Sequence, residues 1–177
     1  MKITLGRIAG VVLVEPDVFR DERGFFLETF NRSELSELGI ATEFIQDNHS
    51  RSVRNTIRGL HFQLGGGQVK LVRAARGRIL DVVVDLRPDS PTFGEWEGVD
   101  LDDETHLQIY VPVGFAHGFC VMSEVADVCY KVSAAYDPSL ERGIAWDDPS
   151  IGITWPIATP LLSERDRHNP SLADALA

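Results

Sequence analysis

Cysteine is scarce in this chain: two among 177 residues, Cys120 and Cys129. They form neither a C-x-x-C pair nor a disulfide framework, which excludes a disulfide-stapled scaffold and places the chain in a reducing cytoplasm. Both are expected to behave as small buried hydrophobes. Long apolar runs are missing too, and none approaches the roughly 20 residues that cross a bilayer. The N-terminal stretch Met1 to Arg7 is too weakly apolar for a signal peptide. There is no linker, repeat or low-complexity tract. Positive charge is in deficit, with 17 Lys and Arg against 27 Asp and Glu and a net charge of −10. Nucleic acid and anionic membranes would be repelled overall, so neither is expected as a partner.

What remains is an ordinary composition, 44% hydrophobic and 25% charged, of a length that suits one domain spanning residues 1–177. Strand patterns dominate, separated by Gly, Pro and Asp turns. Leu107, Ile109 and Val111 alternate with His106, Gln108 and Tyr110, which predicts a half-buried strand. Val82, Val84 and Leu86 alternate with Asp81, Val83 and Asp85. Val128, Tyr130 and Val132 share a face opposite Asp127, Cys129 and Lys131. Arg87 to Pro91 reads as a turn, because its two prolines cannot sit in a central strand. One helix is clear, Ser33 to Leu38, with Asn31 as N-cap, Glu34 as capping-box partner and Gly39 as stop. Beyond Asp137 the pattern turns irregular, with a short helix near Leu172. The predicted fold is all-β.

The few cations are not scattered. From Asn48 to Leu80 there is no Asp or Glu, yet Arg51, Arg54, Arg58, Lys70, Arg73, Arg76 and Arg78 all fall inside. That segment carries +7 and the rest of the chain −17 (−10 less +7). A cationic stretch in an acidic chain predicts a site for a small anion. The same stretch holds His61, whose imidazole is the side chain best suited to move a proton. Cations to hold an anion and an imidazole to move a proton point to an enzyme.

Pro112-Val113-Gly114-Phe115-Ala116-His117 fits P-x-G-x-x-H, the second half of the cupin signature. Metal cupins also carry H-x-H followed by Glu, two histidines on one strand face gripping one ion. Here Gln63 takes the second histidine position, and Gly67 and Gln68 stand where the Glu should be. His61 and His117 with a neutral amide are a poor home for Zn²⁺ or Fe²⁺, so no metal is expected.

Taken in order, the motifs have a family likeness. They are Phe19-x-Asp21-x-Arg23-Gly24-x-Phe26, Gln46-Asp47-Asn48-x-Ser50, Arg58-Gly59-Leu60-His61-Phe62-Gln63, Asp81 to Arg87 and Ser90-Pro91-Thr92-Phe93-Gly94. Pro112 to Phe119, Tyr130-Lys131, Trp146-x-Asp148-Pro149 and Leu162-Ser163-x-x-Asp166 follow. The set resembles the dTDP-4-dehydrorhamnose 3,5-epimerases, metal-free cupins of deoxysugar biosynthesis, from about Gly10 to Leu172. The resemblance implies a cupin-type jelly roll, no cofactor, and a dTDP-4-keto-6-deoxyhexose inverted at C3 and C5. It implies His61 as base, Asp166 to orient that imidazole, Tyr130 to return a proton from the opposite face, and Lys70 at the C4 oxygen. Arg23 and Glu28 would contact the nucleotide from a partner subunit, in a homodimer that exchanges N-terminal strands. Gln46, Asn48, Arg58, His117 and Glu141 match substrate-contacting positions, and Phe26 and Tyr136 aromatic ones. Arg165 stands where the family has lysine, a planar fork in place of a point charge. The loop Leu64 to Gln68 is shorter and richer in glycine than in many relatives.

By pattern alone several of these residues read differently. Tyr130 is a core tyrosine, Lys70 a solvated strand lysine, Asp166 a turn or cap, and His117 a prop at the barrel mouth. His49, His106 and His168 read as structural or surface groups. Arg58 and His61 would face opposite ways on a regular strand, so Gly59 is expected to mark a bulge that re-aims one of them. Three rival functions fit parts of the pattern: a 3-epimerase inverting one carbon, a metal-dependent cupin oxygenase, and a non-catalytic sugar-binding sandwich.

Overall fold

The computed structural model describes all residues, 1–177. The chain opens with four short strands, β1 (Lys2–Leu5), β2 (Val12–Glu15), β3 (Val18–Asp21) and β4 (Gly24–Leu27), and the helix α1 (Arg32–Glu37). Strands β5 (Gln46–Val53), β6 (Ile57–Gln63), β7 (Lys70–Arg76) and β8 (Arg78–Asp85) follow. Then come β9 (Trp96–Asp102), β10 (Gln108–Val111), β11 (Phe115–Val121), β12 (Val125–Val132) and β13 (Glu141–Gly143). A 3₁₀ turn at Asp166–His168 and the helix α2 (Leu172–Ala175) end the chain. The strands build two antiparallel sheets, ordered β1-β2-β10-β7-β12-β5 and β13-β6-β11-β8-β9, with β3-β4 as a separate hairpin. This is the all-β jelly roll expected from the sequence. No helix is long and apolar enough to cross a membrane.

Three apolar clusters hold it together. Val72, Ile79, Val83, Ile109, Phe119 and Val128 fill the space between the two sheets. A second cluster, with Leu60, Val82, Val84, Leu86 and Ala116, lies on the opposite faces of the five-stranded sheet's strands under Ile144, Ile151 and Leu172. The proline-rich tail that looked irregular in the sequence is thus a lid over that sheet. β8 accordingly has both faces buried, and Asp81 and Asp85 are fully buried within it. The third cluster packs Leu35 of α1 and Ile40 on Val14 and Leu71.

Two local expectations need correcting. Asn31 Oδ1 accepts from the N–H groups of Ser33 and Glu34, as expected of an N-cap. Glu34, however, does not close a capping box, because its carboxylate takes the N-terminal ammonium of Met1. β10 is not half-buried: Gln108 is as buried as Ile109, donating to the Thr29 carbonyl at 3.0 Å, because the segment leading to α1 covers that face. His106 lies outside the strand, buried with a φ of 56°.

The turn after β8 explains the motif Ser90-Pro91-Thr92. Buried Asp85 accepts from Arg87 at 2.6 and 2.8 Å, Ser90 at 2.5 Å and Thr92 at 2.7 Å. Arg87 in turn lies over the Phe115 ring, 4.6 Å from its centroid. Burial opposes ionisation of Asp85, but these donors outweigh it and hold its carboxyl far below the usual range. Asp85→Ala would leave a guanidinium and two hydroxyls without their acceptor, so a loss of about 3–5 kcal/mol is expected in urea unfolding. An unchanged midpoint would show the network to be incidental.

Candidate active site

One cavity of about 540 Å³ opens between the sheets. From the five-stranded sheet, β6 supplies Arg58 and His61, β11 supplies His117 and Phe119, and β13 supplies Glu141. From the six-stranded sheet, β5 supplies Gln46, Asn48 and Ser50, β7 supplies Lys70, and β12 supplies Tyr130. Tyr136 and the tail residues Ser163, Arg165 and Asp166 close the rim. Eleven of the fourteen residues singled out from the sequence therefore share one cavity.

The local fold that makes this possible is the bulge expected at Gly59. His61 pairs with His117 and Arg58 with Phe119, so the two residues between Arg58 and His61 oppose the single Gly118. Arg58 and His61 consequently face the same way, while Leu60 and Phe62 turn into the tail-covered cluster. Both glycines are required by close approach. A Cβ on Gly59, at φ +121°, would lie 2.6 Å from Gly118 Cα, and one on Gly118 would lie 2.7 Å from the Arg58 carbonyl oxygen.

His61 is one-quarter exposed, and its Nε2 lies 2.6 Å from Oδ1 of buried Asp166. The Asp166 N–H donates to Ser163 Oγ at 3.0 Å, fixing the carboxylate on the 3₁₀ turn. Burial works against ionisation of Asp166, yet the His61 contact, with Ser163 and the Gly59 backbone, prevails and holds its carboxyl below the usual range. The imidazole keeps its other ring nitrogen for the cavity. Directly across the strands, His117 Nε2 lies 2.9 Å from Oδ2 of Asp81, a fully buried carboxylate the sequence reading did not single out. Arg165 donates to Glu141 at 2.5 Å, and Arg58 Nε donates to Ser52 Oγ at 2.9 Å.

Lys70 is not the solvated strand lysine of the bare pattern: its neighbour Leu71 packs outward under α1, and Lys70 faces the cavity. Enclosure lowers its ammonium to about 8, although the carboxylates of Glu141 and Asp81 pull it back up. Burial, reinforced by Glu141 and opposed by Arg58, raises the Tyr130 phenol, so it stays un-ionised. Cys120, pushed up to about 11 by burial, is inert, and both cysteines are free.

One expectation fails here. Of the seven cations between Asn48 and Leu80, only Arg58 and Lys70 line the cavity. Arg51 is tied to Asp127 and Arg78 to Asp100, while Arg54 and Arg76 point to solvent. The segment alternates between sheet faces, so its charge divides between the cavity and the outer surface, and the third cation at the site is Arg165 from the tail. Arg23, Phe26 and Glu28 are also absent from the cavity. They lie exposed on or just beyond the β3-β4 hairpin, where Arg23 pairs with Asp21 at 2.5 Å and Phe26 is 67% exposed. Sequence reasoning missed Ser50, Gln68, Phe119 and Ser163 as cavity residues, although Ser50, Phe119 and Ser163 lie inside the quoted motifs. As to metal, the two histidines each already hold a carboxylate, and no group of three His, Cys, Asp or Glu side chains converges as a ligand set.

Fold and cavity define a cupin-type jelly roll lined for acid–base chemistry. The chain belongs to the dTDP-4-dehydrorhamnose 3,5-epimerase family, a family of isomerases whose model matches residues 6–174. It is 49% identical to the dTDP-4-dehydrorhamnose 3,5-epimerase of Shigella flexneri, over 99% of this chain and 98% of that one. It is 50% identical to the enzyme of that name from Pseudomonas aeruginosa, with the same coverage. The solved dTDP-6-deoxy-D-glucose-3,5-epimerase of Legionella pneumophila, in complex with dTDP-4-keto-L-rhamnose, superposes with a TM-score of 0.94 at 43% identity, over 97% of this chain and 93% of that one.

Gly59→Ala tests the geometric basis of the site. The added methyl has no room against Gly118, so the register of Arg58 and His61 must shift. Stability in urea unfolding is expected to fall by about 2–3 kcal/mol. An unchanged unfolding midpoint would refute the close-approach account.

Proposed function

We propose that this chain is a single-domain, cytoplasmic epimerase that converts dTDP-4-dehydro-6-deoxy-D-glucose to dTDP-4-dehydro-L-rhamnose by inverting C3 and C5. The observation that carries this reading is the His61–Asp166 pair on one side of a cavity whose opposite sheet presents Lys70 and Tyr130. Protons at C3 and C5 are acidified by the C4 ketone between them. The free nitrogen of His61 takes the proton, and the C–H electrons move onto the C4 oxygen as an enolate. The Lys70 ammonium stabilises that oxygen, the term that is often largest in such reactions. Tyr130 then protonates the same carbon from the opposite face, which inverts it. Asp166 acts through His61, holding the ring and offsetting its acquired charge. No electrons leave the substrate, so no redox cofactor is called for, and with the Lys70 ammonium at the C4 oxygen this reading needs no metal as Lewis acid.

Gln46, Asn48, Arg58, His117, Tyr136, Glu141 and Arg165 would bind the nucleotide sugar around this centre. Guanidinium groups suit the diphosphate because they offer paired donors. In this reading Arg23, Phe26 and Glu28 serve the site of a second copy, through a homodimer that exchanges its N-terminal strands. Their exposure on a hairpin away from the chain's own cavity supports this. Nucleic acid and membrane are not partners.

Turnover in D₂O with mass spectrometry of the product tests the reaction: label is expected at both C3 and C5. Label at one carbon would make the enzyme a 3-epimerase, and none would overturn the reading. His61→Asn is expected to abolish exchange, with activity down about 10²–10⁴-fold. Tyr130→Phe is expected to retain exchange while correct reprotonation suffers. Equal loss of exchange in both variants would undo the assignment of base and acid.

The shared site has its own test in mixed dimers of His61→Asn and Arg23→Ala protomers. If Arg23 acts across the interface, one site of each mixed dimer is intact, and activity is expected to recover toward half of wild type per mixed dimer. If Arg23 serves its own chain, every site carries one lesion and no activity returns.

A further inference from the structure

Three carboxylates stand at or behind the cavity, each against a basic group: Asp166 holds His61, Asp81 holds His117, and Glu141 holds Arg165 and also faces the Tyr136 hydroxyl. The first two are fully or nearly fully buried and each is committed to an imidazole. Glu141 differs. It sits on β13 opposite Gln63 of β6, its side chain is 16% exposed, and its partner is a permanent cation. It also lines the cavity together with Lys70 and Tyr130, on which no other carboxylate acts jointly.

Resting on the function proposed above, we propose that Glu141 is a positioning residue whose negative charge holds Lys70 as an ammonium and keeps the proton on Tyr130. Arg165 holds that carboxylate in place and ionised. The argument is one of opposing demands. Lys70 has to be enclosed for its charge to act strongly on an enolate oxygen, because fields are stronger away from water. Enclosure also drives an ammonium toward its neutral form, and Lys70 is already lowered to about 8. A nearby carboxylate opposes that loss. The same carboxylate disfavours phenolate, so Tyr130 keeps the proton it must donate.

Among the other groups around Lys70, only Asp81 pulls the same way, and it does not act on Tyr130 as well. Asp81, on β8, pulls in the same direction but is shared with His117 of β11. Asp166 is engaged by His61, and the remaining charges on the cavity wall, Arg58 of β6 and Arg165 of the tail, are cations that would favour neutral Lys70. With Glu141 neutralised, Lys70 would face mainly positive neighbours.

The test uses reductive ¹³C-methylation and NMR, aided by the presence of only three lysines, Lys2, Lys70 and Lys131. In the otherwise native protein the Lys70 methyl resonance is expected to titrate near pH 8. In Glu141→Gln that midpoint should fall by about half a pH unit or more. Glu141→Asp should restore most of it, and Lys2 and Lys131 should not move. A Gln carbonyl oxygen still accepts from Arg165, so a purely structural role for Glu141 would leave the Lys70 titration in place, and that result overturns the proposal. Far-UV circular dichroism of each variant confirms that it is folded. With unmodified enzyme, the alkaline limb of kcat/KM should fall in Glu141→Gln together with the Lys70 midpoint. A shifted Lys70 resonance with an unmoved limb would uphold the role of Glu141 and instead refute Lys70 as the enolate-stabilising cation.

Discussion

The site depends on the backbone contact between Gly59 and Gly118. β6 carries two kinds of side chain that must point to opposite faces: Arg58 and His61 toward the cavity, Leu60 and Phe62 toward the tail-covered core. A regular strand with period two cannot place residues three apart on one face. One extra residue in β6 resolves this, and it fits only where the facing strand has no side chain. The segments Arg58-Gly59-Leu60-His61 and His117-Gly118-Phe119 are therefore two halves of one structural device. It sets His61 and Arg58 at neighbouring positions and brings His117 directly opposite His61.

Around that device the electrostatics are local. The excess of positive charge between Asn48 and Leu80 is a property of the sequence, and in space it separates into a cavity part and a surface part. Arg78 ends in an exposed ion pair with Asp100, which contributes little, and Arg51 in a bidentate pair on buried Asp127. Inside, Asp166, Asp81 and Glu141 each face a basic group, and desolvation decides the outcome for Lys70 and Tyr130. Asp85 at the end of β8 is the structural counterpart: fully buried and ringed by donors, but turned to holding a loop.

Much of this was legible in the sequence because it rests on short-range rules. Alternation gave the strands, Asn31 and Gly39 bounded the helix, and the glycine between Arg58 and His61 marked the bulge. What stayed hidden depends on distant chain. Gln108 and Asp81 occupy polar positions of their strands yet are buried, since Gln108 is covered by the segment before α1 and Asp81 lies inside the sheets against His117 of the neighbouring strand. Glu34 had the right spacing for a capping box, but the N-terminal ammonium won its carboxylate. Asp166 had no local signal at all: it meets His61 across 105 positions, and only the ordered motif set pointed to it. Gln68 was missed because a glycine-rich loop reads as a spacer rather than a wall.

The β3-β4 hairpin remains the part of the chain least explained by its own core. A two-stranded hairpin has little stability by itself. This one is tied down by Phe25 lying 4.5 Å from the His106 ring, by the Arg20 guanidinium over Phe25, and by Arg20 donating to the Glu104 carbonyl at 2.7 Å. These contacts hold the end next to its turn and leave the adjoining pair, Phe19 and Phe26, 64% and 67% exposed. Exposed aromatics concentrated in one place mark an interaction surface more often than scattered apolar residues do. The hairpin also carries Arg23, whose only partner is Asp21 two residues away, a pair with no need of so exposed a position. The aromatic groups the chain withholds from its own cavity are those that a second copy would bring, which is why the proposed dimer and the proposed site stand on the same residues.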